Sequence, residues 1–287
     1  MEDSILTTVV VPAALAIIMV GLGLELTRAD FRRVFTEPRG VGIGLLNLVL
    51  ISPLLAFTVA ELFGLPAGLA VGLVLLGASP GGTMANVLTH LARGDTALSV
   101  TMTAISSLAA AITVPLFLEL GSRHFDAEAI VGDVAMGGVV LRVFLVTVVP
   151  VLLGMWIRDR WPERTIAARP TVAKVSLVLF LAVVGGAVIA EHEKALDNLG
   201  EVAGAALALN VAAMAVSFTV SKLARLDDRR ATAISLELGV HNASLAIAVG
   251  ASLAPVLTIP AAVYAMFMFI TGGLFAATMH RRNALGR

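Results

Sequence analysis

The chain has 287 residues, of which 58% are hydrophobic and only 14% charged, and its mean hydropathy is +0.95. A soluble chain of this size needs far more polar surface, which leaves a polytopic helical membrane protein. Twenty basic and twenty acidic side chains cancel, and the absence of cysteine excludes disulfides, haem attachment and thiolate metal sites.

The apolar runs are continuous rather than alternating and too long for strands, which argues against a β-barrel. No polar stretch exceeds about twenty residues, so no large soluble domain is expected. The start, MEDSILTT, has no basic residue ahead of its apolar run and reads as a retained helix rather than a cleaved signal. Nine hydrophobic spans follow in chain order: 5–27, 40–62, 66–92, 96–120, 136–157, 175–190, 199–221, 231–251 and 257–279. With the N-terminus outside, the inner loops are 28–39, 93–95, 158–174, 222–230 and the tail from His280, and they hold 17 of the 20 Lys and Arg. The outer segments are mostly acidic: Glu2, Asp3, Glu61, Asp126, Glu128, Asp133, Glu191, Glu193, Asp197 and Glu201, against Arg123 and Lys194. This bias predicts an inner-membrane protein with its N-terminus out and its C-terminus in the cytoplasm. Arg142, the remaining cation, lies a turn into the fifth span and reads as snorkelling to the outer interface rather than as a substrate contact.

Two spans are interrupted. The third contains Ser79-Pro80-Gly81-Gly82-Thr83, which cannot stay regular helix, followed by Asn86. The eighth, ATAISLELGVHNASLAIAVG, carries Glu237, Gly239, His241 and Asn242 near its middle. The third span enters two after the first, and the eighth two after the sixth. Spans 1–4 and 6–9 are therefore expected to be inverted repeats, with the fifth unmatched. Paired interrupted helices in matching places of two inverted halves point to a transporter site at mid-membrane.

Glu237 is the strongest single residue. A carboxylate at bilayer depth either attracts a cation or carries a proton, and no Lys or Arg at that depth offers a structural partner. Ser99 and Thr103 lie four apart on the fourth span and present hard oxygen donors suited to an alkali cation; with Asn86 they form a second set. Taken alone, the two hydroxyls serve equally well to bond their own backbone. His241 reads as a ligand, a proton acceptor or a satisfied polar residue, and it stacks with Glu237 only if Gly239 leaves the helix intact. His90, His124, His192 and His280 lie in loops or near span ends, and no paired metal spacing exists. Gly81-Gly82 lacks the Lys of a phosphate loop, and Gly21, Gly23, Gly72 and Gly77 suit close helix packing. No nucleophile–base pair is visible, so an enzyme is not expected.

ASPGGTMANVLTHLARGDTALSVTMT and AISLELGVHNASLAIA, with GLGLELTRADF near the start, resemble the motifs of the bile acid:sodium symporter family. The likeness spans nearly the whole chain. It implies one all-helical membrane domain over 1–287, with a panel from spans 5–27, 136–157 and 175–190. The core is formed by 40–62, 66–120, 199–221 and 231–279, where the two broken helices cross. It implies sodium as the coupling ion and a small organic anion as substrate, by alternating access within the lipid bilayer, with no nucleic-acid partner. The first sodium site takes Asn86, Ser99, Thr103 and Glu237, with Ala85 where the family has serine. The second takes Glu237, the carbonyls of Leu238 and Val240, and His241 where the family has glutamine. A further family glutamine falls at Leu48, beside Asn47. These departures point either to proton coupling or to a single sodium. The chain begins one span later than family members with ten helices. The substrate is expected at Thr83, Asn86, Asn242 and Ala243, where helix-end amides favour negative charge. A keto acid or pantoate-like acid fits better than a bile acid. The alternatives are proton coupling, a non-transporting binding or sensor protein, and an arsenite-type permease, which the lack of cysteine disfavours.

Overall fold

The computed structural model describes residues 9–131, 136–190 and 199–285. The start of the first span, with Glu2 and Asp3, lies outside the described residues, as do Asp133, Glu191, His192, Glu193, Lys194, Asp197 and Arg287. Among the described residues every extended element is helical, and one isolated antiparallel bridge joins Gly81 to His241.

In chain order the helices are α1 (Val11–Glu25), α2 (Arg28–Thr36), α3 (Pro38–Leu62), α4 (Ala67–Ala78), α5 (Thr83–Leu91) and α6 (Thr96–His124). After the single turn Glu128–Val131 come α7 (Gly137–Arg160), α8 (Pro162–Ile189), α9 (Gly200–Leu223), α10 (Asp228–Gly239), α11 (Ala243–Ala251) and α12 (Pro255–Ala284). Six of them, α3, α6, α7, α8, α9 and α12, run 24–30 residues and are apolar enough to cross a bilayer. A seventh is added when α1 and α2, bent 65° apart, are taken together. The chain is a multi-pass membrane protein. The expected third and eighth spans are the pairs α4/α5 and α10/α11, each interrupted by three or four residues.

Two expected inner loops are largely helical. α2 occupies most of 28–39, and within 158–174 only Trp161 falls outside a helix. Hydropathy registers only the apolar part of a helix, whereas arginine, glutamate and alanine extend it into polar surroundings at little cost. Pro162 starts α8 because a first-turn position needs no N–H and accepts its fixed φ.

Small residues let the helices approach. A Cβ on Gly23 would collide with the carbonyl of Val151 on α7, and one on Gly154 with the carbonyl of Val20 on α1. A Cβ on Gly77 would sit 2.6 Å from that of Ala56, one on Gly72 2.6 Å from the Leu257 oxygen, and one on Gly21 2.9 Å from the Ser176 hydroxyl. These positions carry the packing role their sequence suggested. At the far end of α5 the last carbonyls are capped from outside the helix. The His280 ring meets Leu91 O at 2.7 Å, and Asn283 donates to Ala92 O at 2.9 Å. Arg229 donates to Arg93 O at 3.1 Å. α10 and α12 thus fix where α5 ends, satisfying groups a helix terminus otherwise leaves bare.

Candidate functional site

The site begins with two breaks that complete each other. α4 stops at Ala78 because Pro80 removes a donor and Gly81-Gly82 gives the chain freedom to straighten. α10 stops at Gly239 with no proline nearby. Its break is stabilised by the first one: Gly82 N–H donates to Val240 O (3.2 Å) and Asn242 N–H donates to Pro80 O (2.8 Å). In an unbroken helix the Asn242 N–H would have closed on Leu238 O, which the crossing therefore releases. Asn242 then caps α11, its Oδ1 accepting from Leu245 N–H at 3.1 Å. The N-termini of α5 and α11 and the C-termini of α4 and α10 all meet at this crossing.

On one side of it lies Glu237, fully buried. Its Oε1 is 2.6 Å from the Ser99 hydroxyl and 2.8 Å from that of Thr103. The same hydroxyls stand 2.8 and 3.2 Å from Asn86 Oδ1. Two hydroxyl protons cannot serve four short oxygen–oxygen contacts. Either the amide turns over so that its NH2 donates to both hydroxyls, or a proton on Glu237 or a bound cation makes up the difference. Glu237 Oε2 and Asn86 Nδ2 are buried with no partner. No arginine, lysine or histidine forms an ion pair with Glu237 among the described residues. A Cβ on Gly81 would overlap Oε2, so only glycine leaves that oxygen its space. The four residues expected at the first cation site are therefore in mutual contact. Ala85 beside them is fully buried and adds no polar atom.

On the other side lies His241, 2% exposed. Because α10 ends at Gly239, His241 does not stack on Glu237. Its Nε2 is 2.7 Å from the Ser52 hydroxyl and its Nδ1 is 3.0 Å from the Tyr264 hydroxyl. Ser52 Oγ is also 2.8 Å from Gly77 O, and Tyr264 OH is 3.0 Å from Gly239 O. Asn210 donates to Gly239 O at 2.7 Å and accepts from Thr271. Both ring nitrogens are engaged. Val240 O accepts from Gly82 N–H, and Leu238 and Val240 are fully buried. Leu48 is buried and apolar, and Asn47 turns back to donate to Ile43 O at 2.7 Å.

Ser52, Tyr264, Asn210 and Thr271 were not singled out from sequence. Tyr264 left a signal, being the only tyrosine in the chain and lying inside an apolar run, where a phenol needs a partner. Ser52 sits one turn beyond Leu48 on the same helix and precedes Pro53. Asn210 and Thr271 meet only through the tertiary fold.

Beside the crossing is a narrow cleft with a cavity volume of about 60 Å³. α1 contributes Met19 and Leu22, α8 contributes Ser176 and Phe180, and α12 contributes Met268 and Phe269. The broken helices contribute Thr83, His241, Asn242 and Ser244 to its lining. Of the residues expected to meet substrate, Thr83 and Asn242 line the cleft, Asn86 lies in the Glu237 cluster, and Ala243 is fully buried. Arg142 does not reach the cleft; it is exposed and donates to Ser252 O at 3.2 Å, past the end of α11.

Residues 12–197 match the model of the Sodium Bile acid symporter family. A sodium-dependent transporter of Bacillus subtilis, itself described as uncharacterized, is 31% identical over 263 residues, 91% of this chain and 80% of that one. A probable chloroplastic sodium/metabolite cotransporter of rice is 31% identical over 274 residues, 94% of this chain and 63% of its own. The human ileal sodium/bile acid cotransporter is 29% identical over 251 residues, 84% of this chain and 69% of that one. These relatives are transporters, not enzymes, and by the extent of these matches the chain belongs to the sodium bile acid symporter family.

Proposed function

We propose that this chain is a sodium-coupled symporter of small organic anions that works by alternating access. It crosses the membrane nine times, counting α4/α5 and α10/α11 as one crossing each, with its N-terminus outside and its C-terminus in the cytoplasm of a cell whose inner membrane holds it. α1, α7 and α8 form a panel; α3 to α6 and α9 to α12 form a core. The panel moves past the crossing so that the cleft opens to one side at a time.

One observation carries this reading: Glu237, Asn86, Ser99 and Thr103 bring four side-chain oxygens into one buried contact set, and among the described residues no basic side chain pairs with Glu237. Hard oxygens around a buried carboxylate suit a dehydrated sodium ion, which supplies the charge the cluster lacks. Leu238 O, freed by the break, lies one residue from Glu237. His241 spends both nitrogens on hydroxyls, which supports one sodium rather than two. The anion sits in the cleft between Thr83 and Asn242, at the amide ends of α5 and α11. Its apolar body lies against Met19, Phe180 and Phe269. A small monocarboxylate, of keto-acid or pantoate class, suits that mostly apolar lining, which holds no lysine or arginine.

Sodium-dependent melting of the purified protein tests the ion. Sodium raises the melting point of wild type, because a ligand that binds only the folded state stabilises it. Glu237→Ala loses that shift while potassium leaves both unchanged. An equal shift in wild type and variant would remove Glu237 from the ion site. In proteoliposomes, an imposed sodium gradient drives accumulation of a labelled monocarboxylate, and an imposed proton gradient does not. Binding without accumulation would make the protein a sensor.

A further inference from the structure

α2 has no role in the site, and its chemistry is unusual for a connector. It turns 65° away from α1 and joins that helix to α3. One face is tied down. Asp30 accepts from Thr27 N–H and hydroxyl, both at 2.7 Å. Arg33 pairs with Glu37 at 2.6 Å and lies 3.9 Å from Asp95 before α6, and Arg230 of α10 meets Glu37 at 3.1 Å. Arg28 pairs with Asp159 of α7 at 2.7 Å.

The other face is open. Phe35 is 84% exposed, the highest value among the large apolar side chains of the described residues, and Leu223 follows at 78%. The two segments they belong to are joined where Arg39 donates to Ala224 O at 2.7 Å. Three exposed arginines, Arg32, Arg39 and Arg225, share these segments, and no carboxylate lies within ion-pair reach of them among the described residues. The nearby acids are already committed. Glu37 is held by Arg33 and Arg230, Asp227 is 3.6 Å from Arg230, and Asp228 is held by Lys222 and Arg282. The two segments, linked through Arg39, thus each carry an exposed apolar side chain together with exposed arginines that have no carboxylate partner among the described residues.

We infer that Phe35, Leu223, Arg32, Arg39 and Arg225 form a docking site for anionic phospholipid headgroups, with α2 lying in the interface of the leaflet at that end of the bundle. A short helix bent away from a membrane-crossing one is placed to lie in the interface, with aromatic side chains at the acyl boundary and arginines among the phosphates. Guanidinium groups free of carboxylate partners are available for bidentate phosphate contacts. Because α2 links α1 to α3 and is itself paired to α7, α6 and α10, lipid bound there fixes the end of the molecule where these helices meet.

Wild-type protein in phosphatidylcholine nanodiscs is compared with protein in discs containing phosphatidylglycerol, reading the melting point and, after release in a mild detergent, the bound lipids by native mass spectrometry. Phosphatidylglycerol raises the wild-type melting point and stays bound. The triple substitution Arg32→Gln, Arg39→Gln, Arg225→Gln weakens that response roughly tenfold in lipid concentration, and Phe35→Ser weakens it less. Sodium still shifts the melting of both variants, so failure of this inference and failure of the sodium site are read separately. An equal phosphatidylglycerol response in wild type and triple variant would overturn it. So would an equal shift from soluble glycerol 3-phosphate, or a wild-type mass showing a second copy of the chain on this face instead of lipid.

Discussion

Glu237 and His241 are four residues apart, both deeply buried, and on opposite sides of the same break. Their surroundings differ. Glu237 faces two hydroxyls and an amide, has one oxygen without a partner, and has space reserved beside it by Gly81. His241 has a hydroxyl on each nitrogen, and each hydroxyl also reaches a carbonyl at a helix end. The first arrangement has no positive charge paired with it among the described residues. The second is closed by protein groups alone and braces the ends of α4 and α10 against α3 and α12. A buried titratable group is a binding site when its partners run out, and a strut when they do not.

The sharpest way to break this comparison is Gly81→Ala. The added methyl overlaps Glu237 Oε2 and forces the carboxylate to turn. We expect the sodium concentration for half-maximal stabilisation to rise at least about tenfold, ~1.4 kcal/mol of binding. The largest effect in free energy falls on stability. His241→Ala leaves the Ser52 and Tyr264 hydroxyls short of a partner and opens a cavity, costing about 2–4 kcal/mol. Its melting point drops, but the sodium-induced shift survives, and His241→Gln recovers part of the loss. Ser52→Ala and Tyr264→Phe each cost about 1 kcal/mol, and a double-mutant cycle of either with His241→Ala shows coupling. If His241→Ala abolishes the sodium response while Gly81→Ala keeps it, the two roles are exchanged.

The helical membrane class, the two interrupted spans and the lone carboxylate of Glu237 were legible in the sequence, each for a local reason, whereas its meeting with Ser99 and Thr103 across 138 and 134 positions was implied only by the resemblance to the family's motifs. Long apolar runs, a proline followed by two glycines, and a carboxylate without a basic residue in its span leave marks that need no neighbour. The struts were not legible. Ser52 approaches His241 across 189 positions of chain and Asn210 approaches Thr271 across 61, distances over which no periodicity runs. The second break has only Gly239 as a local breaker and no proline. Val240 and Asn242 leave the helix because Gly82 N–H and Pro80 O offer them hydrogen bonds. α2 and the inner half of α8 were read as loops since a hydropathy scan does not register a helix rich in arginine.

Asp228 supplies the control, because it is a carboxylate with its cations built in. Lys222 donates to it at 2.7 Å and Arg282 at 2.6 Å, and these bonds hold its pKa below the ordinary carboxylate value. A depressed folded-state pKa means that the stabilisation is fully present above the unfolded value of about 4 and is lost as pH falls through the folded one. Asp228→Asn is therefore expected to melt slightly below wild type at pH 7, by less than about 1 kcal/mol since the pair is partly exposed. The gap closes as the pH falls below about 4. Sodium changes neither curve's separation, because Lys222 and Arg282 already occupy the place a cation would take. For Glu237, which has no such partners, the separation between wild type and Glu237→Gln depends on sodium at neutral pH. A sodium-dependent gap at Asp228, or a sodium-independent one at Glu237, would erase the distinction between a carboxylate neutralised by the fold and one neutralised by its cargo.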